Sequence, residues 1–316
     1  MLEMIKMNNI SKIYKKHKVL DDISLTIQKG DIYGLVGRNG AGKTTIMKII
    51  CGLIQSTHGE LTFLNQSFLE KNFFLNQVGV LIEQSGFYPE MSGFENLKLK
   101  CLAHGCYTKE YVFQMLEMVG LDSRNKKAVK KYSLGMKQRL GIAFALVGDP
   151  KVLILDEPMN GLDPQGFREL EELLVKMNKE KNLTIVISSH LLQKLSEIAT
   201  QFAIIDDGKL ITTFSREQLF EQINNEIEII VDDSLKAKQA LKSIDAQISI
   251  LSKNIFRVSS TYLNEKEIEA ILVDSGIEVQ SIYQNKINLE EIYLKIVEGG
   301  DQDDKKYIKN GFIQNS

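Results

Sequence analysis

Cysteine is scarce, net charge is nearly absent and no long apolar run occurs. Each scarcity removes a class of protein. The three cysteines are Cys51, Cys101 and Cys106. Their spacing is not that of a metal site, and an odd number does not make a disulfide framework. A reducing compartment is therefore expected. Lysine and arginine number 39 against 41 acidic residues, a formal charge of −2. That balance gives no electrostatic reason to expect nucleic acid. No segment approaches the roughly 20 apolar residues of a membrane span. The opening residues, Met1 to Lys6, lack the apolar core of a signal peptide. With the cysteine usage above, a cytosolic location is expected. Internal repeats and low-complexity tracts are missing as well. What is present is ordinary for a globular protein: 43% apolar and 25% charged residues in a chain of 316. That length holds one large domain and one small one.

The most informative segment is Gly37, Arg38, Asn39, Gly40, Ala41, Gly42, Lys43 and Thr44, followed by Thr45. It is a full G-x-x-x-x-G-K-[ST] pattern. An apolar stretch, 31–36, precedes it. Ile46, Ile49, Ile50 and Leu53 follow at helical spacing. This is the strand–loop–helix context that a phosphate-binding loop requires. Glycines let the backbone turn and aim N–H groups at a phosphate. The helix N-terminus adds partial positive charge. Lys43 supplies a point charge for β and γ phosphates, and Thr44 a hydroxyl for Mg²⁺.

A second segment specifies the chemistry. Residues 152–155 are four consecutive apolar residues, expected as a strand buried on both faces. Asp156 and Glu157 follow at its C-terminal end, where doubly wound sheets place their sites. Asp156 fits a Mg²⁺-holding carboxylate of P-loop NTPases, acting through water. Glu157 fits a base that orients the attacking water. Pro158 stops the strand.

Between the two lies 132–140, Tyr-Ser-Leu-Gly-Met-Lys-Gln-Arg-Leu. Ser133 is placed to cap a helix beginning near Leu134, leaving N–H groups at a positive helix end that suits a phosphate. Here the chain resembles the ATP-binding cassette (ABC) ATPases, whose signature is usually Leu-Ser-Gly-Gly-Gln. Ser133 and Gly135 match. Tyr132, Leu134 and Met136 depart, in a form similar to that of the drug-export branch. Gln84 resembles the family glutamine that touches Mg²⁺ and senses the membrane partner. Asp163, in 160–164, resembles the aspartate of the dimer-interface loop. His190 resembles the switch histidine of the γ-phosphate, and Tyr14 the aromatic that stacks on adenine. The resemblance covers about residues 3 to 215.

The resemblance implies an α/β fold: a P-loop NTPase cassette with a RecA-like core, an antiparallel β subdomain and a helical subdomain. It implies ATP and Mg²⁺, with Thr44, Gln84 and Asp156 at the metal and Lys43, Glu157 and His190 at the chemistry. Two copies would sandwich two ATP molecules, each held by one copy's phosphate loop and the other's Ser133 helix. The transported molecule would pass through a separate polytopic permease, to which the chain binds on the inner face of the membrane. The nearest likeness is to exporters of the bacitracin-resistance and lantibiotic-immunity type. Alternatives are a nucleotide-gated regulator or a translation-associated cassette. Intact Glu157 and His190 disfavour a dead switch, and a single cassette disfavours translation factors. No Asn-Lys-x-Asp of a GTPase appears, and no long heptads of a chromosome-maintenance ATPase.

Periodicity organises the rest. Residues 2–10 and 23–27 are expected as antiparallel strands, and 31–36, 152–155, 184–188 and 202–206 as a central sheet. Residues 90–147 form the helical subdomain, with a capping box at Ser92 and Glu95 and a second helix from Thr108 to Gly120. Its Phe94, Leu97, Leu99, Tyr107, Tyr111 and Phe113 include a candidate docking surface, though most are expected in its own core. The nucleotide domain is expected at 1–221 and an accessory domain at 222–298. The latter has the order βαββαβα of an α+β, ferredoxin-like sandwich. Residues 299–316 are polar and expected as a flexible tail.

Overall fold

A computed structural model describes residues 2–64, 66–67, 77–83, 86–224, 226–241, 247–259, 265–284 and 289–298. Expectations about Gln84 and the tail at 299–316 lie outside the described residues. The chain divides into two compact units, Met1–Thr213 and Phe214–Ser316.

The first unit holds two sheets. One has the order β2-β1-β4-β5, from β1 (Glu3–Tyr14), β2 (His17–Gln28), β4 (His58–Phe63) and β5 (Gln66–Ser67), all paired antiparallel. Along β2, Leu20, Ile23, Leu25 and Ile27 turn inward while their neighbours are wetter. That alternation marks a sheet with one buried face. The other sheet has the order β10-β9-β3-β8-β7-β6. Its strands are β3 (Ile32–Val36), β6 (Val78–Leu81), β7 (Val152–Leu155), β8 (Thr184–Ser189), β9 (Gln201–Asp206) and β10 (Lys209–Ser215). β6, β7, β8, β3 and β9 run parallel. Every residue of β3, β7 and β8 is buried. This explains their continuous apolar runs, because both faces are covered.

Helix α1 (Lys43–Ile50) follows β3 and sends Ile46, Met47, Ile49 and Ile50 into a core shared with β1, β2 and the central sheet. Helices α2 (Gly93–Ala103), α3 (Lys109–Met118) and α4 (Leu134–Leu146) make the helical subdomain. The Ser92–Glu95 capping box is formed in both directions. Buried Asn96 ties the entry of α2 together: its amide donates to the carbonyls of Tyr88, Met91 and Ser92, and its oxygen accepts from Tyr88 N–H. Of the aromatic and leucine candidates there, Leu97 is fully buried and Leu99 is exposed. Phe94 packs on Phe113 with ring centroids 5.2 Å apart.

Helix α5 (Pro164–Lys181) packs an apolar stripe of Leu170, Leu173, Leu174 and Met177. Glu171 lies on the same buried face, 8% exposed. Its Oε1 makes no hydrogen bond among the described residues. Burial, and then the charge of Glu197 beyond α6 (Leu192–Ser196), push its carboxyl up to about 7, against a smaller opposing pull from Arg168. The folded protein therefore keeps this proton over a window where the unfolded chain has lost it. Stability is greatest below about 4.5 and falls as pH rises to about 7. Glu171→Gln removes the penalty. It is expected to raise the melting temperature at pH 8, by the equivalent of about 1 kcal/mol or more, and to change little at pH 4.5. Thermal melts at both values check this.

The second unit begins before the expected boundary at 221/222. That boundary falls inside helix α7 (Arg216–Asn224), which starts directly after β10. Ser215 and Gln218 cap it reciprocally, and no glycine or proline marks the junction. Beyond it run β11 (Glu226–Val231), α8 (Ser234–Ala240), β12 (Gln247–Ile250), β13 (Ile255–Ser259), α9 (Glu265–Asp274), β14 (Val279–Gln284) and α10 (Leu289–Glu298). Its sheet has the order β12-β13-β11-β14, with every pair antiparallel. Ile227, Ile229, Val231, Phe256 and Val258 of the sheet share a core with Ala237, Ile268 and Leu272 of the helices. Among the described residues, no helix is long and apolar enough to cross a membrane.

Candidate active site

The site is built at the C-terminal ends of β3, β7 and β8, which lie side by side. Parallel pairing aligns Val36 with Ser189 and Leu155 with Ile187. Three chain exits therefore converge at one edge of the sheet.

The loop after β3 needs glycine for steric reasons. A Cβ at Gly37 would lie 2.2 Å from the carbonyl oxygen of Ile205, and Gly42 has φ 111°. Gly37 N–H donates to Ser189 O at 3.2 Å, and Ala41 N–H to Arg38 O at 3.1 Å. Arg38, Asn39 and Gly40 are exposed, whereas Ala41, Gly42 and Lys43 are buried and Thr45 is half-buried. Gly42 caps α1 and offers it no side-chain acceptor. The first-turn N–H groups keep their capacity for an external anion. These features fit a polyphosphate.

Lys43 lies across the loop. Its Nζ donates to the carbonyls of Gly37 at 2.6 Å and Arg38 at 3.1 Å. Glu157 Oε1 is 3.5 Å away. Burial pulls the Lys43 ammonium below its usual range, while Glu157 and Asp156 push it back. Asp156 accepts from Thr44 Oγ1 at 2.7 Å and from Ser188 Oγ at 2.6 Å, one bond on each carboxylate oxygen. Since an ionised carboxylate only accepts, the Thr44 proton is committed and its lone pairs face outward. A hydroxyl beside a carboxylate is the hard oxygen set that Mg²⁺ takes, completed by substrate phosphates and water. Among the described residues, no group of three or more His, Cys, Asp or Glu could hold a metal alone.

Glu157 follows β7 in the left-handed region, φ 47°. Its Oε2 lies 3.0 Å from His190 Nδ1. Its Oε1 is buried and makes no hydrogen bond among the described residues. Lys43, Thr44, Asp156, Glu157 and His190 are thus one contact network. Tyr14 ends β1 and is 46% exposed. Lys12 Nζ sits 4.9 Å from the ring centroid.

Ser133, Gly135 and Asp163 assemble elsewhere. They line a groove of about 470 Å³ with Leu134, Gly161 and Leu162, and no residue of the phosphate loop lines it. Ser133 Oγ accepts from Met136 N–H at 3.2 Å and caps α4. Asp163 caps α5, accepting from Gly166 N–H at 3.0 Å. Leu134 stands 47% exposed at this rim. Tyr132, where the family usually has leucine, is buried, and its hydroxyl accepts from Gly93 N–H, an otherwise unpaired donor at the start of α2. Arg139 joins three helices by donating to Val119 O at 3.0 Å and pairing with Glu169.

Three of these contributors escape sequence reasoning: Ser188, the Tyr132 hydroxyl and Arg139. Ser188 left one signal, a small polar residue directly after the apolar run Ile185–Ile187 in a fully buried strand.

The comparisons agree with this geometry. The family model described as "ABC transporter" matches residues 20–160. The bacitracin transport ATP-binding protein of Bacillus licheniformis is 37% identical over 305 residues, 95% of this chain and 99% of that protein. A lantibiotic transport ATP-binding protein of Streptococcus pyogenes is 40% identical over 227 residues, 71% of this chain and 97% of that one. In fold, the chain is similar to a cassette solved as a dimer bound to ADP and phosphate. The TM-score is 0.60 and the identity 24%, over 67% of this chain and 99% of that one. Relatedness along nearly the whole of a bacitracin-type relative, together with the converging strand ends, makes this chain a member of the ABC transporter family, as an ATP-binding ATPase subunit.

Proposed function

We propose that the chain hydrolyses ATP to drive export of a peptide antibiotic or bacteriocin through a separate membrane permease. The observation that carries the chemistry is the network joining Lys43, Thr44, Asp156, Glu157 and His190. In this reading the loop N–H groups and Lys43 hold the β and γ phosphates. Tyr14 stacks on the adenine. Thr44 and Asp156 hold Mg²⁺, with Gln84 as a further ligand; the ion neutralises charge on the phosphates. Glu157 Oε1, with acceptor capacity unused, takes a hydrogen bond from the attacking water and orients it. His190 fixes the other carboxylate oxygen and faces the γ-phosphate.

The same reading makes the working form a dimer. Ser133 and Gly135 line a groove without phosphate-loop residues. They complete a phosphate site only on a second copy, and Asp163 beside them faces that interface. The dimeric cassette of similar fold supports this arrangement. The export assignment rests on the bacitracin and lantibiotic relatives and carries a position on the inner face of the membrane with it. The second unit, read as ferredoxin-like from its strand order, tunes the cassette or holds a partner.

Co-expression with a candidate polytopic permease in a peptide-sensitive Gram-positive host tests the export reading. Resistance to bacitracin or a lantibiotic should rise, and the chain should co-purify with the permease. ATPase activity with neither resistance nor a membrane partner would instead favour a regulatory cassette.

A further inference from the structure

The backbone at Glu157 is unusual in two ways. Glu157 is a non-glycine residue with φ 47°, a left-handed conformation that costs an L side chain energy. It also lies beyond the last rung of the ladder. Asp156 N–H still donates to Leu81 O at 2.9 Å, but β7 ends at Leu155. Glu157 N–H would then be a donor without a backbone partner, in a place where an unpaired donor is costly. Ser188 supplies the partner: Glu157 N–H donates to Ser188 Oγ at 2.8 Å.

A serine hydroxyl has one proton and two lone pairs. The proton is committed, because Ser188 Oγ donates to Asp156 Oδ1 at 2.6 Å. The lone pair then takes the N–H of the next residue, so one hydroxyl bridges the two consecutive acidic residues. Its own frame is fixed. Ser188 is 1% exposed, pairs with Leu35 in the parallel ladder and precedes Ser189, whose carbonyl accepts from Gly37 N–H of the phosphate loop. Two residues further, His190 holds the Glu157 carboxylate at 3.0 Å. A single strand end therefore grips Glu157 twice, by its backbone through Ser188 and by its side chain through His190.

We propose that Ser188 is a positioning residue for hydrolysis. Its hydroxyl sets the peptide between Asp156 and Glu157 so that the Glu157 carboxylate meets the attacking water correctly aligned. The proposal rests on the reading of Glu157 as the group that orients that water. An alanine here keeps the strand and loses the bridge, leaving both Asp156 Oδ1 and Glu157 N–H without Ser188. Small displacement of a catalytic group is enough to slow chemistry on the order of 100-fold, whereas the phosphate loop, held by its own contacts, should still bind nucleotide.

The test uses the full chain with MgATP, comparing parent, Ser188→Ala, Ser188→Thr and Glu157→Gln. Ser188→Ala is expected to lower kcat by roughly 10–100-fold. Its KM for ATP and its affinity for a fluorescent ATP analogue should stay within about threefold, a split that marks lost transition-state alignment. Ser188→Thr keeps the hydroxyl and should recover most of the rate. Excess Mg²⁺ should not rescue Ser188→Ala. Parental kcat in Ser188→Ala overturns the proposal, as does rescue by excess Mg²⁺, which would place the role at Asp156 and the metal. A Ser188→Thr variant as slow as Ser188→Ala overturns it too, because the hydroxyl would then not be what matters. Glu157→Gln separates the two levels. If that variant turns over normally, the reading of Glu157 falls; if it is inactive while Ser188→Ala is fully active, only the Ser188 proposal falls.

Discussion

Glu157→Gln is expected to cut ATP turnover by about 10²–10⁴-fold while leaving ATP binding nearly unchanged. The amide keeps the size and most of the hydrogen bonding of the carboxylate. It cannot accept a proton from water. Oε1 is the atom at issue: it is buried, makes no hydrogen bond among the described residues and lies 3.5 Å from Lys43 Nζ. The substitution also removes the anion facing Lys43. The ammonium keeps the carbonyls of Gly37 and Arg38, so the phosphate loop should hold its shape. A site that binds ATP without consuming it should also hold its sandwich dimer. Light scattering of Glu157→Gln is expected to show a monomer mass without nucleotide and a dimer mass with MgATP. Wild-type turnover in this variant would remove Glu157 from the chemistry. An unchanged mass at saturating ATP would count against completion of the site by a second copy.

The parts of the molecule that were legible in the sequence are those with local causes. The phosphate loop is fixed by spacing within eight residues, and the Ser92 capping box by spacing within four. Strands β3, β7 and β8 announced themselves as apolar runs because both their faces are buried. Other features depend on partners distant in sequence. Tyr132 reads as a mere departure from the family signature until its hydroxyl meets Gly93, 39 residues upstream. Ser188 reads as an ordinary strand residue until β7 places Asp156 and Glu157 beside it. Strand β1 outruns the expected 2–10 for a different reason. It continues to Tyr14, paired with His17 across a turn at Lys15 with φ 56°. A lysine occupies a left-handed position where glycine or asparagine would have signalled the hairpin. Register shifts near Met7 and Ile10 further blur the alternation there.

Lys43→Ala should act on an earlier step, the binding of nucleotide itself. Lys43 is 5% exposed, and the Gly37 carbonyl holds its ammonium within the loop proposed to bind the phosphates. Burial lowers its pKa, yet the neighbouring Glu157 and Asp156 favour the charged form. A charged donor so held supplies a hydrogen bond to phosphate stronger than a neutral one. Its loss is expected to cost on the order of 1.5–3 kcal/mol, which is roughly 10–150-fold in the dissociation constant for ATP. Turnover at fixed ATP should fall further, since the same charge faces the γ-phosphate as it departs. The substitution also strands the carbonyls of Gly37 and Arg38 and leaves Glu157 beside Asp156 without its counter-charge. Some loss of thermal stability should therefore accompany the loss of affinity. Titration of a fluorescent ATP analogue against parent and Lys43→Ala, both with and without Mg²⁺, measures the effect directly. Equal affinity in the two proteins would show that the loop N–H groups alone hold the phosphates, and the role given to Lys43 in binding would be wrong.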